Sequence, residues 1–175
     1  MPRAELEQLL FSEVANVYAI LDGASVKDLP QILFEKAPPH FCLFRGNLEP
    51  DVAAVAPYVV GLVRGSLFTD WMLDAEIGAH YGIFAASRQS IHEMRRHFRG
   101  LFTVYKENGD PMYFRFYDPR VLRAFLPTCN GGELKTFFGP VDRIIAENED
   151  GTAYSTFRLK GNEVAESITE LMKGD

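Results

Sequence analysis

The sequence predicts one α/β domain with an α+β tendency. A mixed β-sheet carries helices packed on its faces, and two hairpins follow in the C-terminal part. Three observations predict it. The 175 residues suit a single domain. Short apolar runs rich in strand formers alternate with amphipathic stretches as far as residue 106. Two turn signals, Asn108-Gly109-Asp110 and Asp150-Gly151, each separate a pair of strand-like segments.

Each element has a local reason. Residues 3–12 place Leu6, Leu9 and Leu10 at helical spacing. Residues 17–22 (VYAILD) are a run of β-formers closed by Asp22-Gly23, which reads as a buried strand. Residues 28–36 read as a helix with Asp28 as N-cap and Pro30 in its first turn, stopped by Pro38-Pro39. Strands follow at 41–44 and 57–63, then a helix at 67–77 that contains Trp71, then a strand at 81–86. Ser87 or Ser90 can cap a helix over 88–99 whose Ile91, Met94 and Phe98 form one apolar stripe. Residues 101–106 and 112–117 form the first hairpin. Asp118 then caps a helix at 119–126 with Pro119 at its first position. A helix at 132–138 ends in Gly139-Pro140. Residues 141–147 and 153–159 form the second hairpin, and Val164, Ile168 and Leu171 share one side of a last helix over 162–173.

Composition narrows the function. Hydrophobic residues at 47% and charged residues at 24% exclude a collagen-like or wholly disordered chain. No apolar run approaches the ~18 residues of a spanning helix, and the first residues lack an apolar signal core. The expected location is therefore the cytoplasm, with no membrane partner. A net charge of −6 argues against bulk nucleic-acid binding. Cys42 and Cys129 lie far apart without a CxxC and read as small hydrophobes. No cofactor or metal is expected. The 14 Phe, seven Tyr and Trp71 can fill a large core or leave a sticky surface.

Catalytic motifs are missing: the sequence has no GxSxG, P-loop or GxGxxG. His92 and His97 in HEMRRH are five apart, about 140° round a helix, so they cannot share a metal as HExxH does. They read as solvent-facing. The acidic run Glu147-Asn148-Glu149-Asp150 lacks the calcium-loop pattern and reads as a solvated turn. Arg88, His92, Arg95, Arg96 and Arg99 make a basic stripe, either a solvated face or a docking patch for an acidic partner. In Arg115-Phe-Tyr-Asp118-Pro-Arg120, a cation in the first helical turn needs a neutralising acid. Arg115 or Arg120 is expected to pair with Asp22 or Asp118, holding a strand-to-helix junction or orienting a partner-binding loop.

Several blocks keep their order along residues 17–145: Tyr18-Ala-Ile-Leu-Asp22-Gly23-Ala24, Ala56-Pro-Tyr-Val-Val60, Tyr81-Gly-Ile-Phe84, Phe114-Arg-Phe-Tyr117-Asp-Pro-Arg-Val-Leu122, and Phe137-Phe138-Gly139-Pro140-Val141. Together they resemble the type VI secretion effector chaperone, or adaptor, family, first catalogued as a domain of unknown function. The FRFYDPRVL string followed by FFGP is the more specific part. The resemblance implies a cytoplasmic bacterial protein without enzymatic activity. Its partners would be a toxic effector and the valine-glycine repeat spike protein onto which that effector is loaded. Signature positions carried over are Asp22, Gly23, Arg115, Tyr117, Asp118, Pro119, Arg120, Phe138, Gly139 and Pro140. Many relatives continue into a helical lobe after FFGP. Here residues 141–175 read as a hairpin and one helix, so that lobe's role is not carried over.

An adaptor needs an apolar groove with a charged rim. Trp71, Tyr117 and the phenylalanines can supply the groove, and Arg95, Arg99 and Arg120 the rim. Two alternatives stand beside it. One is a small-molecule enzyme or ligand site near Asp118, Arg115 and His80. The other is an anion or nucleic-acid module on the Arg88–Arg99 helix. The oligomeric state is left open.

Overall fold

The computed structural model describes residues 2–171. In chain order these form α1 (Pro2–Leu10), β1 (Asn16–Asp22), α2 (Leu29–Lys36), β2 (His40–Cys42), α3 (Pro50–Val55), β3 (Pro57–Leu62), α4 (Leu67–Ala75), β4 (Gly82–Ser87) and α5 (Ile91–Arg99). Then come β5 (Thr103–Tyr105), β6 (Pro111–Tyr113), α6 (Pro119–Phe125), a 3-10 turn at Leu126–Thr128, α7 (Gly131–Phe138), β7 (Arg143–Glu147), β8 (Ala153–Lys160) and β9 (Glu163–Glu170). Seven strands make one sheet in the order β2-β3-β1-β4-β7-β8-β9, and β5-β6 form a separate two-stranded ribbon. Every pairing among the described residues is antiparallel. The α+β tendency is thus what forms, with an antiparallel ladder where a mixed one was expected. No helix among the described residues is long and apolar enough to cross a membrane.

Both faces of the sheet are covered, because the central strands bury side chains on each side. Ile20 of β1 packs with Met94 and Phe98 of α5 and with the phenylalanines of 114–138. Its neighbours Ala19 and Leu21 pack with Leu6 and Leu10 of α1, Leu29 and Leu33 of α2, and Phe68 and Met72 of α4. Most of the Phe excess fills these layers. Phe98, Phe114, Phe116, Phe137 and Phe138 are all buried, and Phe98 stacks on Phe116 at 5.6 Å between ring centres.

Helix starts follow the sequence closely in three places. Ser90 caps α5 with Glu93 in a capping box, and Asn130 with Glu133 does the same for α7. Asp118 accepts from the Arg120 amide at the start of α6. At α2, Asp28 instead sits in the left-handed region (φ 58°) and makes no side-chain cap. The short helix α3 was not expected. The last element is also corrected: residues 163–170 are strand β9, joined to β8 by a two-residue turn at Gly161-Asn162, with Gly161 at φ 63°. Residues 172–173 of the expected helix lie outside the described residues.

Two glycines are required by close backbone approach. A Cβ on Gly23 would lie 2.2 Å from the Ala56 carbonyl oxygen, and one on Gly82 would lie 2.0 Å from that of Ile20. Both obstacles are main chain, Ala56 between α3 and β3 and Ile20 within β1, and cannot swing aside. Gly82→Ala is therefore expected to cost ~1–3 kcal/mol, read as a lower thermal midpoint by circular dichroism.

Candidate functional site

At one end of the sheet, β1 stops at Asp22, whose amide donates to the Tyr81 carbonyl at 2.8 Å just before β4. Asp22 is buried and shapes the next turn by accepting from the Ala24 amide and the Ser25 hydroxyl, each at 2.9 Å. Arg115, between β6 and α6, reaches across and forms an ion pair with the Asp22 carboxylate. Its guanidinium also lies 5.9 Å from the Tyr117 ring centre, and the Tyr117 and Tyr113 hydroxyls are 3.2 Å apart. Asp118 accepts from the Arg120 amide at 2.9 Å, from Nε at 3.0 Å and from Nη2 at 2.8 Å. Burial works the other way, but these bonds hold the Asp118 carboxyl below its ordinary value. The expected pairing is present twice, as Arg115–Asp22 and Arg120–Asp118.

A second polar cluster at the same end was not foreseen. Glu147 and Glu76 are both fully buried. Glu147 ends β7 and accepts from the backbone amides of Gly78 and, at 3.1 Å, His80. His80 Nδ1 lies 2.8 Å from its carboxylate, and Tyr154 donates its hydroxyl to it at 3.4 Å. Glu76 accepts from the Tyr81 amide at 3.2 Å, while its Oε1 has no hydrogen-bond partner. The first residue of the expected solvated acidic turn thus belongs to the core. His80 serves Glu147 rather than the Asp118–Arg115 group.

Desolvation, reinforced by the Glu147 charge, raises the Glu76 carboxyl well above its ordinary 4.5. The unfolded chain releases this proton near pH 4.5 while the folded chain keeps it, so stability falls as pH climbs from there through the raised value. Glu76→Gln keeps an acceptor for Tyr81 and removes the titration. The variant is expected to gain on the parent as pH rises, read as urea midpoints at about pH 4 and about pH 8.

The basic helix is only partly a solvated stripe. Arg95 lies over the Phe41 ring at 4.4 Å, and Arg99 donates to the Cys42 carbonyl at 2.8 Å and the Phe44 carbonyl at 3.3 Å. Both clamp the β2 segment, while Arg88 and Arg96 are exposed. His92 is exposed. His97, expected in solvent, is half-buried with Nε2 2.9 Å from the Phe137 carbonyl oxygen, and burial lowers its pKa. Its ring lies against Gly139, where a Cβ would come within 2.5 Å of His97 Cε1 and the backbone sits at φ 48°. Phe138 is buried and the Pro140 carbonyl accepts from the Ser87 hydroxyl at 2.6 Å, so FFGP here ties α7 to β4. Pro119 is buried at the first position of α6.

Two groove residues are corrected. Tyr117 is only 3% exposed, and Trp71 is half-buried 5.3 Å from the Phe68 ring within the core. Neither offers a free surface. The exposed aromatics lie elsewhere. Phe34 (83%) stands on α2, and Tyr105 (71%) and Tyr113 (51%), beside the exposed Met112 (47%), stand on the β5–β6 ribbon. Beside it runs a groove of ≈ 770 Å³ lined by Leu101, Val104, Tyr105, Phe114, Phe125 and Phe137, with Glu133 and Thr136 among its polar residues.

The family described as a domain of unknown function, DUF4123, matches residues 17–136. The chain belongs to this family. The match takes in nearly all of β1 through most of α7, and with them both arginine–aspartate pairs and the apolar groove apart from Phe137. No curated protein and no solved structure matches the chain.

Proposed function

We propose that this DUF4123 protein is a cytoplasmic bacterial adaptor without enzymatic activity of its own. It captures a type VI secretion effector and helps load it onto the valine-glycine repeat spike protein. One observation carries the reading: an apolar groove with Tyr105 in its lining, open beside a ribbon outside the main sheet that also exposes Met112 and Tyr113. Clustered exposed apolar side chains are what a partner-binding surface requires, and aromatics are its usual anchors. The resemblance of the FRFYDPRVL and FFGP strings to effector chaperones supports it independently. The Asp22–Arg115 pair, buried on its aspartate side, and the Asp118–Arg120 fork then have a positioning role: they fix the segment that leads from the ribbon into α6. The ligand-site alternative loses support, because Asp118 and Arg115 are engaged by Arg120 and Asp22, and His80 pairs with Glu147 instead.

Co-expression with the proteins encoded beside it tests the reading. The folded chain is expected to retain an effector or spike protein on affinity resin at low salt. Retention of neither overturns it.

A further inference from the structure

The long edge of the sheet is open. Strand β9 pairs only with β8 and ends the strand order, whereas the opposite edge, β2, has three residues. Eight residues of β9 carry no proline and no lysine, two common ways of blunting an edge. The Leu171 amide donates to the Thr152 carbonyl across the ladder. By the alternation of an antiparallel pair, the amides and carbonyls of Val164, Glu166, Ile168 and Glu170 therefore face away from β8. Ile168 is 67% exposed.

The side chains say what could pair there. Glu163, Glu166 and Glu170 line this edge. By the same alternation, a second copy pairing antiparallel about Glu166 would set the two Glu166 side chains directly opposite each other, and like charges there are unfavourable. Next to the strand lies a pocket of ≈ 410 Å³ lined by Leu126, Cys129, Leu134, Phe157 and Val164, with Glu163 and Glu166 beside them. An added strand gains main-chain hydrogen bonds along the edge and specificity from pockets for alternate side chains.

We propose that β9 takes up an extended segment of the partner, bearing lysine or arginine at alternate positions and one apolar anchor for this pocket, as an eighth strand. The proposal rests on the adaptor reading for the partner's identity. The competing account is that the acids serve only to keep the edge unpaired.

Amide hydrogen exchange on the full chain, with an end-blocked octapeptide of alternating lysine and valine, decides between them. The amides of Val164, Glu166, Ile168 and Glu170 are expected to slow at least about tenfold. A glutamate–valine peptide should give no such protection. Ile168→Pro removes one outward amide without breaking the β8 ladder and should abolish the effect. Should that variant not fold, Glu163→Lys/Glu170→Lys should do the same. No protection, equal protection by both peptides, or protection that appears with protein concentration alone overturns the proposal. If the parent retains its effector on resin and Ile168→Pro retains it equally, the edge proposal falls and the adaptor reading stands. If no effector is retained but the lysine peptide still protects β9, the reverse holds.

Discussion

Asp22→Ala is expected to lower folding stability by ~2–4 kcal/mol, measured as a shift of the urea midpoint. The carboxylate is buried, so its three partners lose an acceptor that water cannot fully replace. The Ala24 amide and Ser25 hydroxyl lose the group that closes the turn after β1. Arg115 loses its ion pair, but its side chain is 43% exposed and can turn to solvent. Arg115→Ala is the milder change for a related reason. It leaves a buried charge that still has two donors, and the expected cost is ~1–2 kcal/mol. The double variant should cost less than the sum of the singles, since the second substitution removes a partner already lost. Additive effects would show that the pair is incidental to the fold.

Arg143→Ala is expected to cost ~3–5 kcal/mol. Arg143 is among the largest side chains lying fully within the protein. Its Nη1 donates to the Leu9 carbonyl at 3.1 Å and the Ser12 hydroxyl at 3.0 Å, and Nη2 to the Leu10 carbonyl at 2.9 Å. These are the orphan carbonyls at the end of α1, which no helical amide can satisfy. Burial pulls the guanidinium pKa down, and Glu13, 3.9 Å away, works against that shift. Arg143→Met restores most of the volume but none of the donors. It should fall between the parent and the alanine variant. Limited proteolysis should cut near residue 13 faster in both variants, because the end of α1 then loses its Arg143 donors, while Leu6 and Leu10 packing and the ion pairs of Arg3 with Asp70 and Asp74 still hold its start.

The mixed-sheet expectation arose from a physical ambiguity. Near-continuous apolar strands such as VYAILD usually mark a parallel sheet covered on both faces. Here helices cover both faces of an antiparallel sheet, and the same pattern results. β9 went unread for the opposite reason. Both its faces are largely exposed, so it shows no alternation, and Val164, Ile168 and Leu171 happen to fall at helical spacing. The Gly161-Asn162 pair between two β-compatible runs was the signal that could have found it.

The junction at Asp118-Pro119 was legible because capping and charge pairing are local. Asp22–Arg115 was legible only as a set of possible pairs, since 93 positions separate its members. The Glu147–Glu76 cluster also had a trace. Glu76 continues the Thr69, Met72 and Leu73 stripe of α4 that faces the core, and an acid on such a stripe is a buried acid. The aromatic count did point to a large core. It could not say which rings stay outside, because Tyr105 and Tyr113 owe their exposure to a ribbon that leaves the main sheet.

The adaptor account is tested most directly by titrating the purified chain, and a Tyr105→Lys/Met112→Lys variant, into its co-encoded effector by calorimetry. The account predicts a 1:1 complex with the parent, at least about hundredfold weaker with the variant, and the same urea midpoint for both chains. Equal affinity for the two chains, or no heat with a folded parent, would contradict it.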